Sequence, residues 1–80
     1  MILKLFFYQG GSDTLIAIAS NLTEIYLITF DIETMGMKEQ IKISNQDNFV
    51  DTIFSDESDQ ILLIEKLKVS VFILNHNKEL

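Results

Sequence analysis

Ser55-Asp56-Glu57-Ser58-Asp59-Gln60-Ile61-Leu62-Leu63-Ile64-Glu65-Lys66-Leu67 is the stretch on which the fold turns. As a helix it is well made at its start. Ser55 can cap the first turn, and Asp56, Glu57 and Asp59 suit the positive end of the helix dipole. As a strand it reads as a polar turn followed by an apolar run from Ile61 to Ile64. Periodicity does not separate the two readings over so short a run. The surrounding chain favours the strand. Phe7-Tyr8-Gln9-Gly10-Gly11-Ser12-Asp13-Thr14-Leu15-Ile16 aligns without a gap on Ile53-Phe54-Ser55-Asp56-Glu57-Ser58-Asp59-Gln60-Ile61-Leu62, 46 residues later. Both stretches run apolar pair, polar turn, Ser-Asp, apolar run. The first of them holds β-leaning residues and a Gly-Gly turn. A second match, Ile25-Tyr26-Leu27-Ile28 on Val69-Ser70-Val71-Phe72, lies at an offset of 44. Self-similarity with a period in the forties marks stacked β units. The helical alternative stays open at this point, and it makes the chain a small α+β domain with a coincidental repeat.

Turn signals fall about every ten residues, the spacing of a run of short strands. Seven strands are expected: Leu3 to Tyr8, Thr14 to Ala19, Glu24 to Ile32, Met37 to Ser44, Phe49 to Phe54, Gln60 to Glu65 and Lys68 to Asn75. Gly10-Gly11 suits a tight hairpin, because glycine accepts positive φ. A second turn is expected near Thr34 to Gly36, and a polar loop from Asn45 to Asn48. His76 to Leu80 reads as a frayed tail. In the third strand Ile25 and Leu27 share one face, and Tyr26, Ile28 and Phe30 share the other. A strand apolar on both faces is covered on both. The fourth strand alternates, with Met37, Ile41 and Ile43 on one side and Lys38, Gln40, Lys42 and Ser44 on the other. It reads as half-exposed, its lysines discouraging edge pairing.

From these residues the chain resembles the WD-repeat and related β-propeller families. The run from Phe49 to Ile64 looks like the first two strands of a blade joined by a Ser-Asp turn, and Val69 to Leu74 looks like its third strand. Phe30-Asp31 and Leu74-Asn75 stand where the Trp-Asp dipeptide belongs; the chain has no Trp, and the Gly-His pair that often opens a blade is also missing. The resemblance implies an all-β fold, an antiparallel meander of about seven strands forming roughly two blades. Residues 1–44 make one unit, and residues 45–80 make a second that lacks its fourth strand.

Composition narrows the chemistry. Eighty residues make at most one domain, with a thin stability margin. Cysteine is absent, so disulfides and thiolate metal sites are excluded. The net charge is −6, with no arginine. Phosphate-binding surfaces are basic, so nucleic acid and anionic membrane are not expected as partners. The apolar stretch Met1 to Tyr8 is too short to span a bilayer and lacks a basic leader. Asn21-Leu22-Thr23 matches a glycosylation sequon, but without a secretory signal it reads as chance. The expected location is cytoplasm or nucleus.

No catalytic set emerges. His76 is the one histidine, in a polar tail. Asp51, Asp56, Glu57 and Asp59 lack the spacing and glycine of an EF-hand loop. Ser12, Ser55 and Ser58 have no triad partner in the sequence pattern. Gly10-Gly11 is not followed by a P-loop or dinucleotide signature. Phe6, Phe7, Tyr8 and Phe54 could stack on bases, but an acidic, arginine-free chain favours core packing. The expectation is a non-enzymatic module with no cofactor and no metal.

Two blades do not close a ring, since propellers have at least about four. Each large apolar side chain left in water forgoes about 1.5–3 kcal/mol of burial. The flanks therefore read as interfaces with a protein partner or with further blades. Val69, Val71 and Ile73 are the expected contacts at one end, and Phe6 and Tyr8 at the other. The edge of the last strand is open to β-augmentation. The alternative is a free-standing α+β regulatory domain that dimerises through an edge strand.

Overall fold

The computed structural model describes residues 1–8 and 13–74. Gly10-Gly11, Ser12, Asn75 and the tail from His76 lie outside the described residues, and so do the expectations placed on them. The described chain is all β and contains no helix. Its seven strands are β1 (Ile2–Tyr8), β2 (Thr14–Ser20), β3 (Glu24–Asp31), β4 (Met37–Asn45), β5 (Phe49–Ser55), β6 (Gln60–Glu65) and β7 (Val69–Ile73). All pairings are antiparallel between sequence neighbours. They form a four-stranded sheet, β1-β2-β3-β4, and a three-stranded sheet, β5-β6-β7.

The segment from Ser55 to Leu67 is a turn followed by a strand. The acidic residues that suit a helix start instead make the β5–β6 turn, where Asp59 takes a left-handed φ of 55°. Aspartate accepts that conformation more readily than most side chains. The apolar run then alternates. Ile61 and Leu63 are buried, while Leu62 and Ile64 are half-buried on the other face. The α+β alternative is thereby overturned.

Turn chemistry ends the other strands. Asn21 Oδ1 accepts from the backbone N–H of Thr23 and of Glu24, at 2.9 and 2.8 Å, and closes the β2–β3 hairpin. Asp31 organises the β3–β4 turn. Its carboxylate accepts from the Glu33 N–H at 3.1 Å and the Thr34 hydroxyl at 3.2 Å.

The core lies between the sheets. Tyr8, Ile16, Ile18, Ile25 and Leu27 come from the first sheet, Ile61 from the second, and Phe6, Ile43, Phe49, Phe54, Phe72 and Leu74 pack around them. Burial of such aliphatic and aromatic side chains is the main stabilising term in a molecule this small.

β4 departs from simple alternation. The β3–β4 ladder shifts register at Ile25/Tyr26 and again at Thr29/Phe30. Each bulge reverses which face the next residue takes. Met37 therefore lies beside Phe30, Ile41 beside Leu27, and the two fall on opposite faces. Ser44, expected in solvent, is buried, and its hydroxyl donates to Glu65 Oε2 across the sheets at 2.6 Å.

Candidate interaction surface

The way the second sheet lies on the first decides which residues its outer face presents. Three contacts climb β1 and the β5 hairpin together. Lys4 Nζ meets Asp51 Oδ1 at 2.7 Å, the Phe6 and Phe54 rings stack at 5.0 Å, and the Tyr8 hydroxyl donates to Asp59 Oδ1 at 2.9 Å. Thus β5 lies over β1 and runs the same way. On the far side Ser44 of β4 reaches Glu65 of β6. Both sheets therefore have the same strand order and strand direction. Such sheets are related by a step from one to the next, and not by a two-fold flip. Under a step, the inner face of the first sheet corresponds to the outer face of the second.

The ladders fix this correspondence residue by residue. Tyr8–Thr14 and Ser55–Gln60 are the last pairs before each hairpin turn. One rung back, the outward row Phe7–Leu15–Phe30 corresponds to the inward row Phe54–Ile61–Phe72. The backbone bonds that close each unit agree. Ile32 N–H donates to the Asp13 carbonyl at 3.3 Å, and Leu74 N–H to the Asp59 carbonyl at 2.7 Å. The offset of 46 thus holds for β2 and β6. The third strands match at 42 from this end and at 44 from the hairpin tip, because β6–β7 has five ladder pairs where β2–β3 has seven.

The outer face of the second sheet is apolar. Ile53, Leu62 and Val71 form one row, with Ile64 and Val69 beside it and Ile73 beyond. Val69, Val71 and Ile73 are 59, 52 and 74 % exposed. The structure thus places all three contact residues expected at this end on one open face. Among the described residues β7 pairs only with β6, and none of them takes the place beside it that β4 takes in the first sheet.

At the other end the sequence expectation is corrected. Phe6 and Tyr8 point inward. Tyr8 is buried, and Phe6 is half-buried against Phe54. Burial pushes the Tyr8 phenol up to about 12, and its hydrogen bond to the Asp59 carboxylate adds to the shift. These two residues hold the sheets together. The exposed apolar residues of β1 are its alternate set, Leu3, Leu5 and Phe7. β1 is apolar on both faces, so composition carried no signal for which set turns inward. The outer face of the first sheet continues through Leu15, Ala17, Ile28 and Phe30. Two further residues had only their hairpin positions to signal them. Leu22 and Leu67, in the β2–β3 and β6–β7 turns, are both 95 % exposed.

Polar chemistry is sparse. A shallow depression is lined by Asp13, Asp31, Glu33 and Lys38. Lys38 Nζ is engaged there, donating to Thr14 Oγ1 at 3.0 Å. Among the described residues no group of three His, Asp or Glu side chains is placed to hold a metal ion, and no helix is long and apolar enough to cross a membrane. Ser55 and Ser58 hydroxyls lie 2.6 Å apart at the β5–β6 turn, bonded to each other and not to a base. Thr52 Oγ1 is buried without a hydrogen-bond partner among the described residues. The chain matches no family model, no curated protein and no solved structure.

Proposed function

We propose that this chain is a non-enzymatic protein-interaction or scaffold module, a divergent β-propeller segment whose open flanks are covered by further protein in a multi-subunit assembly. The observation that carries the reading is the stepwise stacking of two meander sheets, which leaves Ile53, Leu62, Val69, Val71 and Ile73 on an outer face equivalent to one that is covered inside the molecule. Sheets stacked by a repeated step are the arrangement of propeller blades. Contiguous apolar faces of this kind mark interaction sites. The edge of β7, which no described strand pairs, offers a partner strand a place in the second sheet.

Val71→Asp tests the reading. The substitution puts a charge at the centre of the outer face and leaves the inner core untouched. Loss of co-purification with the protein's partners, with the β-sheet circular dichroism retained, is the expected result. Unchanged association and unchanged solubility overturn it.

A further inference from the structure

We propose that the outer face of the second sheet is covered by the outer face of the first sheet of a second copy of this chain, so that copies stack head to tail. The inference rests on the docking role of the outer faces argued above and adds the identity of the occupant.

The chain itself carries both halves of the required junction. In the existing interface the second sheet contributes the row Phe54–Ile61–Phe72. The corresponding row on the first sheet is Phe7–Leu15–Phe30, which has the same aromatic, aliphatic, aromatic order and faces outward. The receiving side matches as well. Ile16, Ile18 and Leu27 of the first sheet receive the second, and their counterparts Leu62, Ile64 and Val69 face outward on the second sheet. A head-to-tail junction thus sets the same aromatic, aliphatic, aromatic row on the same aliphatic rows as the internal junction does, with Ile53 and Ser55 standing where Phe6 and Tyr8 add ring contacts to Phe54 inside the chain. Joining two copies through like faces sets two contributing faces or two receiving faces together, and neither repeats the internal junction, which sets a contributing face on a receiving one. None of the residues in these matched rows is charged, so the rows themselves bring no ion out of water.

A junction between unlike faces is heterologous. It closes into a ring if the angular step permits and otherwise grows a filament. Propellers typically hold about four to eight blades, so closure takes about two to four copies of two sheets each.

Complementation between two single-face variants tests the proposal. Phe7→Asp disables the face of the first sheet, and Val71→Asp the face of the second. Molar mass is read by light scattering on the full chain, with circular dichroism confirming β structure. The expected result is oligomers for the parent, monomers for each variant alone, and a one-to-one heterodimer on mixing, since the mixture retains one intact junction. Leu5→Lys with Ile53→Lys repeats the test should either Asp variant lose its fold. A mixture that stays monomeric overturns the proposal, as does a variant that still dimerises alone, which indicates like-face pairing. A monomeric parent that binds a different protein through Val71 overturns the second copy as occupant and leaves the docking reading intact. A monomeric parent whose partner binding ignores Val71→Asp overturns both.

Discussion

The inner and outer faces of the second sheet are built from the same kinds of side chain, yet only one of them is closed. Inward, Phe54, Ile61 and Phe72 meet the first sheet; outward, no other sheet among the described residues covers Ile53, Leu62, Val71 and Ile73. A sheet with one solvated face ordinarily alternates apolar with polar. This one carries an apolar surface on each side. Side chains of equal hydrophobicity thus have unequal roles, set by whether a neighbouring sheet is present. The inner set supports the fold of the single chain, and the outer set is the surface on which the proposed association rests.

The sharpest way to break this contrast is to truncate one residue on each side. Ile61→Ala removes a fully buried side chain and is expected to cost about 2–5 kcal/mol in urea unfolding. Ile53→Ala, at concentrations where the chain is monomeric, is expected to stay within about 0.5 kcal/mol. Equal losses at the two positions erase the distinction between the faces.

A smaller effect is expected at the seam between the sheets. Tyr8→Phe deletes the hydroxyl that reaches Asp59 and is expected to cost about 1 kcal/mol. Its pH signature is more diagnostic. The Tyr8 phenol titrates near 10 when unfolded and at about 12 in the folded chain, so folding favours its protonated form. That contribution is complete below pH 10 and is lost as the pH rises through about 12. Alkaline unfolding curves should therefore converge for the parent and Tyr8→Phe above that window. Curves that stay parallel across it count against a buried, bonded phenol.

The least effect is expected from the ion pair on the rim. Lys4 holds the Asp51 carboxyl below its ordinary range, and the Thr52 N–H assists. A depressed carboxyl stabilises the fold above its unfolded value of 3.8, and the contribution is lost as the pH falls below that value and through the lower folded one. Both side chains are more than a third exposed, so Lys4→Met is expected to cost between about 0.2 and 1 kcal/mol at pH 7 and less below pH 4. A larger loss at pH 7 makes the rim, and not the apolar seam, the tie between the sheets.

Much of the architecture was legible in the chain. Each of the seven strands starts and stops within two residues of its sequence-based bounds, because Gly, Asn, Asp and Ser punctuate short apolar runs at regular intervals. The exposure of Val69, Val71 and Ile73 was legible because two blades do not close a ring, which leaves the flank of the second without a neighbour. The inward turn of Phe6 and Tyr8 was not. Ile2, Leu3, Leu5 and Phe7 are as apolar as the set that packs inside, and a strand apolar on both faces gives no orientation. The burial of Ser44 was hidden for a different reason. Two bulges reset the facing of β4, and a bulge depends on the partner strand.

The sequence by itself determined that this chain is a meander of short strands in two similar units, since turn residues and β-leaning apolar runs act locally. Tertiary structure alone decided that the second sheet follows the first by a step. Contacts between Lys4 and Asp51, Phe6 and Phe54, and Tyr8 and Asp59 join residues about fifty positions apart. Local propensity carries no information about which of two apolar faces a distant sheet will cover, because hydrophobic attraction has no direction and only the packing of whole sheets supplies one.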